Sequence, residues 1–240
     1  MAVSYVLRFK IFAFIIVCFI LWQTFRHFPF QDDTEQELLL HKEVIEPSQA
    51  VNSVITPILV SVFYEALCPD SRSFFTKHLL PTYEKIPHLI KVDLIPYGKA
   101  KTESVGDGYT FSCQHGPVEC KANKIHACAI TKIPEPDVRL RYTTCMISDN
   151  MNPLEIGQQC AQEHNVRWEQ IAECAVSAEG DNLLKLHGDK TNSLHPRISF
   201  VPTILLDKKF ESQPAVLKNL FKEVCKKVIS QTSQLVPECS

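Results

Sequence analysis

The sequence predicts an α/β protein whose sheet is interrupted midway by an α-helical insertion stapled by disulfides. Three observations carry this expectation. A strand–helix–strand unit occupies residues 58–97, a cysteine-bearing helical stretch fills residues 98–196, and strand texture returns at 197–206 ahead of a last amphipathic helix.

Residues 58–64 (ILVSVFY) are β-branched and almost wholly apolar, the pattern of a strand buried on both faces. Cys68-Pro69-Asp70-Ser71 follows closely. Pro69 and Asp70 suit the first turn of a helix, where a missing N–H costs nothing and a negative charge is favoured. Phe74, Phe75, Leu79, Leu80 and Tyr83 carry this helix to about Ile86, and residues 89–97 (LIKVDLIPY) form a second strand. Such a unit pairs its two strands in parallel. Beyond Gly98 the spacing predicts helices at 119–130, 137–146, 153–163 and 168–178, each bearing cysteine. Residues 197–206 (RISFVPTILL) predict a strand, Asp207 a turn into Lys208-Lys209-Phe210, and residues 214–229 the final helix. Strand, helix, strand, insertion, hairpin, helix is the order of a thioredoxin-like sheet interrupted midway.

The chain has 240 residues, 45% hydrophobic, with a formal net charge of -2 and ten cysteines. The length suffices for one sizeable core carrying an insertion. The near-neutral balance, without a Lys/Arg run, argues against nucleic acid as a partner. Cysteine at this density points to metal sites or to an oxidising compartment. Arg8 and Lys10 precede an apolar run at 11–22, so residues 1–30 read as a signal peptide or an uncleaved signal anchor. Either places the remainder in an endomembrane lumen or outside the cell, and an anchor would make the protein a type II membrane protein. The membrane is then a partner only through that segment. Residues 31–53 are polar and acidic and read as a linker, residues 54–232 as the folded domain, and residues 233–240 as a tail.

Cys68 stands at the end of a buried strand and the start of a helix. Unpaired N–H groups and the helix dipole favour negative charge at its sulfur, the form that attacks a substrate disulfide. The same position would also suit a cysteine that is paired, or buried and inert. Setting aside Cys18 in the targeting segment, Cys113, Cys120, Cys128, Cys145, Cys160, Cys174, Cys225 and Cys239 can form four bridges, which leaves Cys68 over. Pro202 would be awkward within a strand. A cis Val201-Pro202 bond would present the backbone of Val201 beside the thiol, and an ordinary trans proline at a strand start is the plainer alternative. Cys113, Cys120 and Cys128 with His115 and His126 invite a zinc reading, but no Cys-x2-Cys pair is present. No metal and no cofactor is expected.

The segment Cys113-Gln114-His115-Gly116-Pro117-Val118-Glu119-Cys120-Lys121-Ala122-Asn123-Lys124-Ile125-His126-Ala127-Cys128 resembles the signature CQHGx2ECx2Nx4C of the gamma-interferon-inducible lysosomal thiol reductase family. Its fixed positions fall on Cys113, Gln114, His115, Gly116, Glu119, Cys120, Asn123 and Cys128. Val62-Phe63-Tyr64-Glu65-Ala66-Leu67-Cys68-Pro69 is similar to that family's active-site approach, and Val201-Pro202-Thr203 to its cis-proline loop. The resemblance implies a thioredoxin-like fold with a helical insertion. It also implies reduction of protein disulfides in an acidic endolysosomal compartment or outside the cell, in immune settings assisting antigen unfolding. Disulfide-containing proteins are then the substrates, and a small thiol the possible co-reductant. The family's CxxC is here completed by Ser71. A hydroxyl cannot resolve a mixed disulfide, although it can hydrogen-bond the Cys68 thiolate. A catalytically weak binding or chaperone-like protein is the alternative reading.

Overall fold

A strand buried on both faces, β1 (Ile58–Tyr64), forms the spine of the molecule, with six of its seven residues buried. The computed structural model describes residues 16–23, 56–232 and 236–239. β1 pairs in parallel with β2 (Ile90–Pro96), in the register Ile58 to Ile90 through Tyr64 to Pro96. On its other edge β1 runs antiparallel to β5 (Thr203–Leu206), which continues into the short β6 (Lys209–Phe210). The sheet order is β2-β1-β5-β6, the thioredoxin-like arrangement.

Between β1 and β2 lie α1 (Pro69–Phe74), a π-helical turn (Phe75–Leu79) and α2 (Leu80–Lys85). Pro81 has no N–H to give and its ring would press on the preceding turn, so the backbone widens there instead of breaking. Phe74, Phe75 and Leu79 face inward and join Val60, Val62, Ile204, Leu206, Leu220, Val224 and Val228 in the main core.

The insertion opens with a hairpin, β3 (Lys101–Val105) and β4 (Gly108–Ser112), which the sequence reading did not include. Its strands are mostly exposed and poor in apolar residues. The signal that marks it is Gly106-Asp107 between two five-residue runs, with Gly106 at φ 57, as a tight hairpin turn requires. Five helices follow: α3 (Pro117–Lys132), α4 (Pro136–Ser148), α5 (Pro153–Glu163), α6 (Trp168–Val176) and α7 (Ala178–Asn192). The first three each begin with a proline, whose missing N–H is no loss there. Helix α7 was not foreseen, because its segment is polar and holds Gly180 and Gly188. Both glycines serve packing: a Cβ at Gly188 would lie 2.6 Å from the Tyr97 ring, and one at Gly180 would lie 2.5 Å from the Cys174 carbonyl oxygen.

The insertion has its own core, including Ile125, Ile133, Tyr142, Met146 and Ile171. Two disulfides cross it, Cys128–Cys174 joining α3 to α6 and Cys145–Cys160 joining α4 to α5. Cys113–Cys120 closes the turn that leads into α3. The strand expected at 197–206 is corrected to Thr203–Leu206. Pro202 cannot donate to a ladder, and the bonds before Pro196 and Pro202 are both cis. The final helix is also two: α8 (Gln213–Lys218) and α9 (Leu220–Thr232). They part at Asn219, whose Oδ1 accepts the Lys222 N–H at 3.0 Å, a side-chain cap that starts a new helix. Cys225–Cys239 ties the segment expected as a tail to α9, and Val236 is buried in the main core.

Residues 16–23 are helical, with Ile16, Val17, Phe19, Ile20, Leu21 and Trp22 exposed. Among the described residues no helix is long and apolar enough to cross a membrane. The rest of the expected targeting segment and the linker at 31–53 lie outside the described residues.

Candidate active site

Cys68 is the N-cap of α1, with extended backbone (φ -68°, ψ 124°). Its sulfur accepts the Ser71 N–H at 3.5 Å, so a donor and the positive end of the helix meet the sulfur. From the other side the Val201 carbonyl oxygen lies 3.9 Å away, in position to accept the thiol proton. The Val201-Pro202 bond is cis, which settles the open choice at that proline, and Thr203 Oγ1 holds the loop by donating to the Phe200 carbonyl at 2.7 Å. Cys68 is 6% exposed, with Phe200 40% exposed beside this loop. All eight cysteines from Cys113 to Cys239 are bridged, and Cys68 is free. Cys18 is the other free cysteine among the described residues.

Ser71 is fully buried, and here the sequence expectation needs correcting. The contact from Ser71 to the sulfur is made by its backbone N–H, while its hydroxyl accepts the Glu65 N–H at 3.5 Å. The reason is local geometry: the third residue of a helix turns its N–H toward the cap, while the Ser71 hydroxyl lies within reach of the Glu65 N–H.

The signature residues pack against the loop that carries Cys68. Asn123 Oδ1 accepts the Ala66 N–H at 2.9 Å, and Asn150 Nδ2 donates to the Ala66 carbonyl at 2.7 Å. Gly116 adopts φ 83 at the N-cap of α3, a backbone only glycine takes readily. Glu119 Oε1 accepts the His115 N–H at 3.1 Å, and Glu119 Oε2 pairs with His115 Nδ1 at 2.5 Å. Gln114 is exposed on the same turn. Cys113, Cys120 and Cys128 are consumed by disulfides, so the zinc set of the sequence reading is not assembled.

Glu65 is the residue sequence reasoning passed over. It is fully buried, its Oε1 accepts the Lys99 N–H at 2.8 Å, and burial raises its pKa. The signal was there: one acidic residue in an otherwise apolar approach to Cys68. Gly98, at φ 60, lies against it, and a Cβ there would sit 2.2 Å from Glu65 Cγ. A cleft of about 470 Å³ lined by Tyr109, Phe111, Lys121, Lys124, Leu154 and Asp181 lies apart, with none of Cys68, Ser71, Val201 or Pro202 on its wall.

His126 backs the site from α3. It is fully buried, shares a 2.9 Å hydrogen bond with the Tyr64 hydroxyl, and desolvation lowers its pKa to about 3. Its unfolded value is about 6.5, so the fold prefers the neutral ring. The stability this contributes is present above pH 6.5 and is lost as pH falls toward 3. At pH 5 the loss relative to neutral pH is about 2 kcal/mol. His126→Gln, which cannot titrate there, is expected to flatten the fall in chemical-denaturation stability between pH 7 and 5 by that amount. His187, whose pKa burial lowers to about 4, acts in the same direction in both proteins, so the difference isolates His126. Equal slopes would refute the assignment.

Comparison with known proteins agrees with this geometry. Residues 59–164 match the family model for gamma interferon inducible lysosomal thiol reductase. GILT-like protein 1 of Drosophila melanogaster is 36% identical over 171 residues, 64% of this chain and 67% of that protein. The gamma-interferon-inducible lysosomal thiol reductase of Carassius auratus is 31% identical over 186 residues, 76% of this chain and 72% of that protein. Among solved structures, Chlamydia trachomatis DsbA covers 84% of this chain and 99% of its own, with TM-score 0.54 at 14% identity. Bacillus subtilis BdbD covers 74% of this chain and 89% of its own, with TM-score 0.52 at 15% identity. These two likenesses establish the thioredoxin-like fold with its helical insertion, and the sequence relatives establish the lineage. The chain belongs to the gamma-interferon-inducible lysosomal thiol reductase family.

Proposed function

We propose that this protein is a thiol–disulfide oxidoreductase that reduces or rearranges protein disulfides through a single nucleophilic sulfur, that of Cys68. The observation that supports this most is the free Cys68 thiol at a helix N-cap, between the Ser71 N–H and the Val201 carbonyl, while its eight neighbours in the fold are bridged. The thiolate attacks one sulfur of a substrate disulfide. A bond forms between Cys68 Sγ and that sulfur, and the substrate's other sulfur leaves as a thiolate and takes up a proton. Val201, held by the cis bond to Pro202, offers a backbone edge on which an extended substrate can lie.

Release of the substrate then needs a second thiol. With Ser71 in the resolving position it comes from outside the site. One small thiol takes the place of the substrate on one sulfur of the mixed disulfide, a second completes the exchange, and the balance is one substrate disulfide reduced for one small disulfide formed. A neighbouring thiol of the substrate can act instead, which gives isomerisation. Four disulfides suit an oxidising space, and the relatives are named for the lysosome. We place the protein in the endolysosomal lumen or outside the cell, delivered by its N-terminal segment.

The direct test is capture of the intermediate. Incubated with a disulfide-bonded protein and no small thiol, the protein is expected to form a covalent adduct whose non-reducing peptide map places the bridge on Cys68. Adding a small thiol should dissolve it, with turnover rising in proportion to thiol concentration. Absence of any adduct, together with turnover no faster than the small thiol alone, would favour the non-catalytic binding protein.

A further inference from the structure

Three ligand-type side chains converge beside the Cys68 loop without a role in disulfide exchange. Glu65 comes from the segment after β1, and His115 and Glu119 from the signature turn and the first turn of α3. Each of Glu65, His115 and Glu119 offers one ligand atom, and the three atoms lie within 4.8 Å of one another. His115 Nδ1 is 3.4 Å from Glu65 Oε2 and 2.5 Å from Glu119 Oε2. Both glutamates are fully buried.

The way the carboxylates are held is the telling feature. In each, Oε1 is occupied by a backbone N–H, from Lys99 in Glu65 and from His115 in Glu119. That leaves both Oε2 atoms aimed at the imidazole. Glu65 Oε2 has no hydrogen-bond partner although it is buried, and such an oxygen is costly to leave unmatched. Metal sites are built this way, with one oxygen of a ligating carboxylate fixed by an outer hydrogen bond and the other free to coordinate.

We propose that Glu65, His115 and Glu119 form a divalent-cation site that clasps the signature turn to the loop carrying Cys68. Two carboxylate oxygens and one imidazole nitrogen suit Mn2+, Fe2+, Co2+ or Zn2+ more than a soft, thiolate-seeking ion. Ligands at about 2.1 Å from such an ion stand about 3.0–3.4 Å apart, the present spacing of Glu65 and His115. The closer His115–Glu119 pair opens to that distance by a small turn of the imidazole. The His115 side chain is 32% exposed, which provides an entry path and room for water to complete the shell. A second convergent group among the described residues, Cys145 with Glu163 and His164, lacks a free thiolate, since Cys145 is spent in a disulfide. Through Glu65 the ion reaches the nucleophile's loop: the Glu65 carbonyl accepts the Cys68 N–H at 3.2 Å.

Cobalt titration of the full chain tests this, because Co2+ reports its ligands by colour. Wild type, Cys68→Ala, Glu65→Gln, Glu119→Gln and His115→Asn are titrated while visible absorption and the thermal midpoint are followed. Saturable one-to-one binding is expected in wild type and in Cys68→Ala. It should show d–d bands of oxygen and nitrogen ligands without a thiolate charge-transfer band, and it should raise the midpoint. Affinity should fall about tenfold or more in each ligand variant, as loss of one contact in a metal shell costs. His115→Asn, altered at a part-exposed side chain, keeps the test valid should a buried glutamate variant fail to fold. Absence of saturable binding would overturn the proposal. So would binding that survives in the ligand variants, or a thiolate band that vanishes in Cys68→Ala.

Discussion

In Cys68→Ala, disulfide reduction in the presence of a small thiol is expected to fall to the rate of that thiol alone. The expectation rests on the accounting of sulfur in the fold. Cys113–Cys120, Cys128–Cys174, Cys145–Cys160 and Cys225–Cys239 hold eight cysteines, which leaves Cys68 as the one unbridged thiol of the domain. A hydroxyl in its place, in Cys68→Ser, should be equally inactive, because serine stays protonated and does not displace a thiolate. Neither change should disturb folding much, since the Cys68 sulfur is held by weak hydrogen bonds with the Ser71 N–H and the Val201 carbonyl. The measurement is turnover of a disulfide-bonded protein at acidic and neutral pH, with circular dichroism to confirm the fold. Residual turnover well above the thiol-only rate would mean that another sulfur carries the reaction.

Ser71→Cys is expected to give the protein a resolving thiol of its own. Ser71 is three residues on from Cys68 in the first turn of α1, with its N–H already on the Cys68 sulfur, so the two side chains stand on one face. An internal thiol acts at an effective concentration of about 1 mM or more. With external thiol held at about 10 µM, the mixed disulfide should therefore be resolved about 100-fold faster than in wild type. Quenched-flow trapping of the adduct reads this directly, and the freed variant should then carry an internal Cys68 disulfide. The cost is the hydrogen bond from the Glu65 N–H to the Ser71 hydroxyl, which sulfur accepts only weakly. An unchanged adduct lifetime would show that substrate release is not limited by resolution.

The reductase reading and the cation clasp answer different questions, and the results can be told apart. Loss of turnover in Cys68→Ala leaves cobalt binding intact if both hold. Loss of cobalt binding in Glu119→Gln says nothing against the thiol chemistry, because Glu119 touches neither Cys68 nor the Val201 carbonyl in the contacts of either.

Much of this protein was legible along the chain. The apolar run at 58–64 read as a buried strand, Pro69 and Asp70 read as a helix start, and the cysteine arithmetic singled out Cys68. These features are local in sequence or are simple counts, so periodicity and residue chemistry expose them. Local signals failed where packing overrode them. Helix α7 hides behind a polar composition because Gly180 and Gly188 are needed for close contact with Cys174 and Tyr97, and the core pays for their poor propensity. Strand β5 is shorter than its apolar letters suggest because Pro202 cannot join a ladder.

The sequence alone determined the fold class, the lineage and which cysteine of the domain is left unbridged. Only the tertiary structure decided which cysteines pair, where the Ser71 hydroxyl turns, and that Glu65 meets His115 and Glu119. Each of these is a contact closed across the chain: Cys68 meets Val201 over a separation of 133 residues, and Ala66 meets Asn123 over 57. No periodicity records such distances. They are set when two cores, one of the sheet and one of the insertion, pack α3 against the end of β1 and bring the cis-proline loop to the start of α1.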